Sequence, residues 1–439
     1  MRRFALRFFS ILVVQLMADG VPWHVTQARA QEPAEFVGES ELVVVRAARM
    51  LDVVSGEIVP NAVVVVEGGE IREVHPEAAP SRARTIDLGD LTLLPGLIDA
   101  HTHLAYDLEG DWSHREVTEA TAEGTVRAVR NARRTLEAGF TTVRDVGASP
   151  GFVDVAIMRG VERGWIVGPR VVPAGHSLGI TGGHCDATGY IPGVLELGPE
   201  QGVADGVDEV IRAVRYQIKH GARVIKVCAT AGVLSFEESV GAQQYTEDEL
   251  RAAVEEAARH GMKVAAHAHG TEGIKAAIRA GVASIEHGSL IDDEAVAMMK
   301  ERDVYLVPTT YLADAIDLDL LPPPIRAKAE WVLPRAKENL RRAIRAGVPI
   351  AFGTDAAVFP HGENAKEFAA LVERGMAPLE AIRSATIHAA DLLGVDDRGV
   401  IAAGKLADLI AVPGNPLQDV HALENVRFVM LGGDVVKEP

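Results

Sequence analysis

The chain has 439 residues, of which 48 % are hydrophobic and 24 % are charged. This composition supports a large buried core and excludes a disordered chain, a collagen-like repeat and a disulfide miniprotein. Lysine and arginine number 44 against 62 aspartate and glutamate residues, and the resulting charge of −18 repels polyanions and argues against a nucleic-acid partner. Two cysteines are too few for a zinc–thiolate cage, whereas fifteen histidines are a generous supply for so acidic a chain.

The first thirty residues have the pattern of a secretory signal. Three arginines precede the apolar run 8–17, and Ala28 and Ala30 occupy the two positions that a signal peptidase reads. A buried N-terminal helix is the alternative, but Arg7 interrupts the apolar stretch 4–17, and aspartate, glycine and proline follow it closely. Because no other apolar stretch is long enough to span a bilayer, we predict a periplasmic or secreted protein, cleaved before Gln31, with no membrane span afterwards.

Short strands separated by turns fill the segment 41–94. Apolar residues predict strands at 42–46, 62–67 and 71–75, and Gly68-Gly69 forms the turn between the last two. This spacing predicts a small antiparallel unit ahead of the main part of the chain.

From Pro95 onward, a short apolar strand, a polar tip and an amphipathic helix recur as one repeating unit. Eight strands are predicted, at 96–100, 141–145, 170–173, 224–227, 264–266, 284–286, 305–307 and 350–352. Helices fill the gaps, for example at 116–138, 327–346 and 246–260, where Thr246 is the N-cap and Glu249 follows three residues later. Eight such units over ~300 residues predict a (β/α)8 TIM barrel at 95–397, with its chemistry at the carboxyl ends of the strands.

The short-strand pattern returns after Leu393. Strands are predicted at 408–412, 426–431 and 434–437, and we expect the terminal stretches 31–94 and 398–439 to pair into one small β-sandwich domain. The predicted fold class is therefore α/β, a TIM barrel with a β-sandwich built from both ends of the chain. A doubly wound sheet would also alternate strands and helices, but no Gly-x-Gly-x-x-Gly motif follows an early strand.

Metal-ligand side chains recur at the predicted strand ends. His101 and His103 close the first barrel strand, and residues two apart in a strand face the same side, so both can reach one ion. A lone His-x-His pair is more often two satisfied histidines than a metal site. Here His267, His287 and Asp355 end later strands of the same barrel, and this coincidence predicts a metal centre in the barrel mouth.

Lys226 lies in the fourth barrel strand, among the apolar residues of 224–227, so burial should lower the pKa of its ammonium. The plainer alternative is a lysine at the edge of the core, paired with a carboxylate. A neutral amine beside cations can instead add carbon dioxide and form a carbamate, whose oxygens can join two metals. The set suits two Zn²⁺ ions per chain, bridged by carboxylated Lys226 and a hydroxide. One ion would take His101, His103 and Asp355, and the other would take His267 and His287.

Four stretches resemble the amidohydrolase superfamily: PGLIDAHTHL at 95–104, EHG at 286–288, GTDA at 353–356 and GKLADL at 404–409. The resemblance covers nearly the whole chain after the signal. Within the superfamily, the chain is similar to the imidazolonepropionase-related branch, in particular to its zinc-dependent Xaa-Pro and Xaa-specific dipeptidases (prolidase-like) and to ochratoxin-hydrolysing members. A carboxylated lysine on strand four marks that branch, whereas imidazolonepropionase itself uses a single metal without it.

The resemblance implies roles for further residues. The family has a histidine at the place of His184, which implies that this imidazole binds the substrate and polarises the scissile carbonyl, although Cys185 follows where relatives have glycine. His269 stands where many relatives have a substrate-binding tyrosine, which implies a substrate contact. Asp355 is placed to take a proton from the attacking water and pass it to the leaving nitrogen, with a helix N-cap as the alternative. A basic group must hold the substrate carboxylate, and Arg144 and the loop around residue 182 are candidates.

The predicted activity is hydrolysis of the amide bond to a C-terminal amino acid, by attack of a metal-bridging hydroxide. Dipeptides and N-acyl amino acids, ochratoxin A among them, are the expected small-molecule substrates. The alternatives are a cyclic amidase, lactamase or deaminase on the same scaffold, and a non-catalytic binding protein. We expect a homo-oligomer, because such barrels commonly associate. Cys185 and Cys228 could pair in an oxidising compartment, but they fall in segments assigned to different strands, so we expect free thiols.

Overall fold

The computed structural model describes residues 42–78, 80, 82–108, 110, 114–147, 151–235, 237 and 239–439. The predicted signal at 1–30 and the first part of the predicted sandwich segment, 31–41, lie outside the described residues. Within the part of the chain that is described, no helix is long and apolar enough to cross a membrane.

Strands and helices alternate through most of the described chain. The strands are β1 (Leu42–Asp52), β2 (Glu57–Glu67), β3 (Glu70–Val74), β4 (Arg84–Asp87), β5 (Leu91–Pro95), β6 (Leu97–Thr102), β7 (Phe140–Asp145), β8 (Arg170–Pro173), β9 (Ile225–Cys228), β10 (Val264–Ala268), β11 (Ser284–His287), β12 (Tyr305–Val307), β13 (Leu409–Pro413), β14 (Phe428–Leu431) and β15 (Asp434–Lys437). The helices are α1 (Arg115–Thr118), α2 (Thr121–Glu137), α3 (Val153–Glu162), α4 (Val207–His220), α5 (Glu247–Arg259), α6 (Thr271–Ala280), α7 (Asp293–Glu301), α8 (Leu312–Ala315), α9 (Pro323–Ala346), α10 (Lys366–Glu373), α11 (Pro378–Arg383) and α12 (Ala389–Leu393). Short 3-10 segments lie at Pro199–Gln201, Leu318–Leu320 and Val420–Glu424, and a π-helical turn, Ser384–His388, joins α11 to α12.

The parallel strands β6 to β12 form the inner wall of the barrel. β6, β7 and β8 pair in chain order, and so do β9, β10, β11 and β12. Backbone hydrogen bonds of Leu178 with β9 close one gap in the ring, and residues 350–356 bond both to β12 and to β6 across the other. The predicted TIM barrel is confirmed. Its eighth segment pairs with β12 only through a bridge at Ile350, because Pro349 precedes it and the backbone turns left-handed at Asp355.

The barrel strands are short apolar runs that are buried on both faces. All five residues of β10, with the sequence VAAHA, are buried, as expected for a parallel strand between the barrel interior and a ring of helices. Helix α5 begins with the predicted capping box: the Thr246 hydroxyl accepts the Glu249 amide, and the Glu249 carboxylate accepts the Thr246 amide. The apolar strand runs and the helix cap are therefore local sequence signals for the barrel, whose strands all end at the same side.

Strands from the two ends of the chain belong to one mixed sheet. Its order is β15-β14-β13-β5-β1-β2-β3, with β4 pairing beside β1. β5 and β13 are antiparallel and place Leu94 opposite Ile410. A bridge also joins Glu70 of β3 to Leu406. The apolar side chains of these strands form a core cluster of their own. The predicted antiparallel pairing in 41–94 is confirmed for β1, β2 and β3. The strands β4 and β5, which are not among the predicted ones, run parallel to β1. The predicted sandwich boundaries, at 94 and 398, stay predictions.

Gly96 is the only residue between β5 of the sheet and β6 of the barrel. A Cβ atom at this position would lie 2.1 Å from the Thr141 hydroxyl oxygen, so only glycine allows the chain to pass from β5 to β6 this close to β7. The terminal sheet therefore fixes the start of the strand that carries His101.

Candidate metal centre

His101 and His103 lie at the carboxyl end of β6, where both imidazoles face Asp355. Nε2 of His101 is 3.6 Å, and Nε2 of His103 is 3.2 Å, from Oδ1 of Asp355. The Nδ1 atoms have other partners: that of His103 donates to the Gly147 carbonyl oxygen at 3.1 Å, and that of His101 lies 2.6 Å from the Glu286 carboxylate. The two Nε2 atoms and the carboxylate form one group of possible metal ligands.

Asp355 has a φ of 61°, a strained left-handed backbone for a residue with a side chain. Thr354, the residue before Asp355, is held by Asp99 of β6. The Asp99 carboxylate accepts hydrogen bonds from the Thr354 amide at 3.1 Å, the Thr354 hydroxyl at 2.6 Å and the Asn364 side-chain amide at 2.8 Å. Burial raises the pKa of Asp355, but the hydrogen bond from His103 and the nearby imidazoles hold it well below its usual range. The carboxylate is therefore ionised at neutral pH.

His267, His269 and His287 form a second group at the carboxyl ends of the neighbouring strands β10 and β11. One ring nitrogen of each lies within 4.8 Å of the others, and burial lowers the pKa of all three rings, which are therefore neutral and offer lone pairs. His101, His287 and Asp355 meet the same distance limit, so His287 belongs to both groups. The structure thus places His269, predicted to contact the substrate, as close as the predicted ligands.

Lys226 lies on β9 and lines the same cavity as the two histidine groups. Its side chain is only 3 % exposed. Burial lowers the pKa of its ammonium to about 8, and the carboxylates of Glu286 and Asp355 oppose this only in part. The predicted lowering of the pKa is confirmed, and it raises the share of neutral amine near neutral pH. Carboxylation of Lys226 stays a prediction.

Arg144 of β7 lies inside the barrel, so its proposed role in holding a substrate carboxylate is wrong. The residue is 2 % exposed, and its guanidinium donates to Glu286 at 2.8 Å and to Ser284 at 3.1 Å. Burial raises the pKa of Glu286, but Arg144 and His101 together hold it at about 2. An ionised Glu286 must accept the Nδ1 proton of His101, which leaves the Nε2 lone pair of His101 for a metal.

Replacing Glu286 with glutamine should destabilise the fold and weaken metal binding. The Glu286→Gln change leaves the buried Arg144 guanidinium without its counter-charge, which costs about 3–5 kcal/mol, and loss of the partner of His101 lowers metal affinity about 10–100-fold. Chemical denaturation and zinc titration against a competing chelator measure the two effects. Exposed Glu255 on α5 supplies the control, Glu255→Gln. Equal zinc affinities for the two variants would contradict the assignment of Glu286 as the partner that orients His101.

His184 lies in the loop after β8 and reaches over the barrel mouth. Its ring stacks on that of His267, with centroids 4.0 Å apart, and its Nδ1 is 3.0 Å from the hydroxyl oxygen of Ser235. Burial, assisted by the charge of Lys226, lowers the pKa of His184 to about 4. The structure therefore brings a neutral imidazole from a loop into contact with the predicted ligands.

Cys185 and Cys228 form a disulfide, so the expectation of free thiols is wrong. Cys185 belongs to the loop after β8 rather than to the strand, and this loop runs along β9, where Leu178 pairs with Val227. The Cα atoms of the two cysteines are 6.0 Å apart, within the span of a disulfide. The cross-link fastens the residue after His184 to the strand that carries Lys226.

A cavity of about 480 Å³ opens onto these side chains. Part of its wall is apolar and includes Val233, Leu234, Leu312, Leu333 and Leu340. Charged groups line it as well, among them Arg115, Glu116, Glu119 and Arg127. The volume and the mixed lining suit a small molecule that has both apolar and polar parts.

A parallel barrel with imidazoles, a carboxylate and a buried lysine at the carboxyl ends of its strands defines the class of metal-binding barrel enzymes. Residues 92–436 match the amidohydrolase family, and the chain belongs to that family.

Three known proteins illustrate the similarity. Ochratoxinase from Aspergillus niger is 37 % identical over 371 residues, which cover 79 % of this chain and 76 % of that protein. The crystal structure of a Xaa-Pro dipeptidase with bound methionine in the active site has a TM-score of 0.86 at 40 % identity, over 90 % of this chain and 99 % of that one. A prolidase complexed with N-methylphosphonate-L-proline has a TM-score of 0.84 at 34 % identity, over 91 % of this chain and 100 % of that one.

These relatives confirm the predicted family and the predicted class of reaction. The chain is a hydrolase that acts on carbon–nitrogen bonds, and its histidine groups can hold a metal.

Proposed function

We propose that the chain is a binuclear zinc amidohydrolase that cuts the amide bond to a C-terminal amino acid in dipeptides or N-acyl amino acids, ochratoxin A among them. The observation that carries this proposal is the meeting of two ligand groups at His287, beside buried Lys226, in one cavity. The relatives support the substrate class, because one holds methionine, one holds a proline phosphonate and one is an ochratoxinase.

The residues of the site fit two zinc ions. Imidazole nitrogen and carboxylate oxygen are common zinc ligands, and the buried Nε2 of His267 has no hydrogen-bond partner among the described residues. We assign His101, His103 and Asp355 to one ion, His267 and His287 to the other, and carboxylated Lys226 to both. When bound, such ions lower the pKa of water and polarise a carbonyl group.

Asp355 moves the proton in this proposal. Its ionised carboxylate accepts a proton from the attacking water and delivers it to the leaving nitrogen, which must be protonated to depart as an amine. The left-handed backbone and the hydrogen bonds of Asp99 to Thr354 hold the segment in one orientation, which limits the distance over which the proton travels.

His184 and His269 bind the substrate in this proposal. In this proposal the Ser235 hydroxyl donates to Nδ1 of His184, 3.0 Å away, and the proton of this neutral ring is on Nε2, which donates to the carbonyl oxygen as negative charge develops there. Nδ1 of His269 lies 2.8 Å from the hydroxyl oxygen of Ser289, which leaves Nε2 for the substrate.

The expectation that the protein forms a homo-oligomer stays a prediction.

A substrate panel tests the proposed function. Zinc-loaded enzyme is incubated with Xaa-Pro, Xaa-Phe and Xaa-Arg dipeptides, N-acyl amino acids and ochratoxin A, and the released amino acid is quantified. We expect release from at least one series, loss of release with a chelator and recovery with Zn²⁺. A panel without any release would favour a cyclic amidase, lactamase or deaminase, and zinc below about one ion per chain would favour a non-catalytic binding protein.

We also propose that the protein is exported to the periplasm or the medium after cleavage before Gln31. The disulfide between Cys185 and Cys228 supports this location, because disulfides persist in oxidising compartments.

Thiol titration tests the cross-link. Exported protein, denatured without a reductant, should show no free thiol, and reduction should release two. Because the cysteines are 43 residues apart, replacing both with serine should lower the free energy of unfolding by up to about 4 kcal/mol, as measured by chemical denaturation. Two free thiols in the unreduced exported protein would contradict the disulfide.

A further inference from the structure

Lys328 of α9 inserts its ammonium into the loop that follows β9. The residue is 8 % exposed, and Nζ donates to the carbonyl oxygens of Gly232 at 3.1 Å, Ser235 at 2.5 Å and Glu237 at 2.9 Å. An ammonium has three protons and no acceptor, so the three carbonyl oxygens satisfy it completely. One side chain thus binds the backbone at three of the described residues of this loop.

The same loop touches His184. The Ser235 hydroxyl oxygen is 3.0 Å from Nδ1 of His184, and a Cβ atom added at Gly232 would lie 2.2 Å from that nitrogen, so only glycine permits this approach. Gln244 ties the two segments together, because its side-chain oxygen accepts the His184 amide and its nitrogen donates to the Glu237 carboxylate, each at 3.1 Å.

These contacts form one continuous path from helix α9 to the imidazole. Lys328 sets the position of the Ser235 backbone, and Ser235 in turn presents its hydroxyl to Nδ1 of His184. A hydroxyl that donates to Nδ1 keeps the imidazole proton on Nε2. That tautomer is the one that can donate to a substrate carbonyl.

We propose that Lys328 is a positioning residue, which acts through Ser235 to hold His184 in its Nε2–H tautomer and over the histidines of the metal centre. The kinetic part of this inference rests on the proposed amide hydrolysis. The tautomer of His184 does not, since it is a property of the resting protein.

The variants Lys328→Met and Ser235→Ala test the path at two points. In long-range proton–nitrogen spectra of the ¹⁵N-histidine-labelled zinc protein, assigned with His184→Gln, wild-type His184 should show the Nε2–H tautomer. Both variants should show a mixture of tautomers. With an amide substrate, kcat should fall about 10–100-fold, while KM and zinc content stay near the wild-type values.

Lys300→Met is the matched control, because Lys300 also ties a helix to α9, through the Ala346 carbonyl oxygen, away from the cavity. It should leave the His184 spectrum and kcat unchanged. If His184 shows only the Nε2–H tautomer in folded Lys328→Met or in Ser235→Ala, as in the wild type, the inference is overturned. If Lys328→Met does not fold, the spectrum of Ser235→Ala alone decides. If no amide in the panel is cleaved, the proposed function fails while the tautomer measurement still decides the role of Lys328.

Discussion

Replacing Lys226 with alanine is expected to abolish amide hydrolysis and to remove most of the bound zinc. Alanine cannot form the carbamate that we propose as the shared ligand, so the site would lack an anionic group needed to hold two positive ions. We expect kcat/KM to fall by about 10³-fold or more, together with the zinc content measured by elemental analysis. Formate, acetate or propionate should restore part of both, because a small carboxylate can replace the missing carbamate in the cavity.

Lys275→Ala is the matched control for this experiment. Lys275 on α6 is also buried, at 7 % exposed, but its ammonium pairs with Asp292 and Glu294 instead of lining the cavity wall described above. This variant should lose stability while it keeps zinc and activity. Unchanged turnover in Lys226→Ala would refute the assignment of Lys226, whatever its zinc content.

Asp355→Asn should keep its zinc and lose most of kcat. The amide has the shape of the carboxylate and still offers an oxygen to a metal, but it cannot accept a proton from water. General acid–base groups contribute about 10²–10⁴-fold, so we expect a fall in kcat of that size with little change in KM. Steady-state kinetics and zinc analysis of the same preparation provide both values.

The kinetics and zinc content of Asp355→Asn distinguish the two proposed roles of this carboxylate, as a metal ligand and as the group that moves the proton. Loss of one zinc ion together with kcat would show that its contribution as a ligand dominates, and a near-normal kcat would mean that another group moves the proton. Asp248→Asn is the control, because Asp248 is an exposed residue in the first turn of α5, where it pairs with Arg251. It should match the wild type in both measurements.

The sequence allowed the barrel and the strand-borne part of its site to be predicted, because both depend on local patterns. The short strands β9, β10 and β11 carry Lys226, His267 and His287 at or near their carboxyl ends, which the fold brings to the mouth of the barrel. Alternation along β6 then brings His101 and the following His103 to face Asp355. These inferences need only the period of a strand and the rule that parallel strand ends meet.

Contacts made by loops and by distant helices could not be predicted in this way. The pairing of Cys185 with Cys228 depends on how the loop after β8 returns over β9, and loop paths have no periodic signal. Arg144 carries the sign of charge that a substrate carboxylate needs, but its partner Glu286 is 142 positions away in the chain. The contact of Lys328 with the loop around Ser235 is hidden for the same reason.

The pairing of β5 with β13 makes the order of synthesis matter. Leu94 finds its partner Ile410 only when nearly all of the chain is available, and β5 runs through Gly96 directly into the strand of His101. A nascent chain therefore cannot complete its terminal sheet while it is still being made, and such long-range pairing slows folding. If the chain is exported unfolded, as a cleaved signal would imply, this delay would favour translocation, because the sheet cannot be completed before the last strands are available.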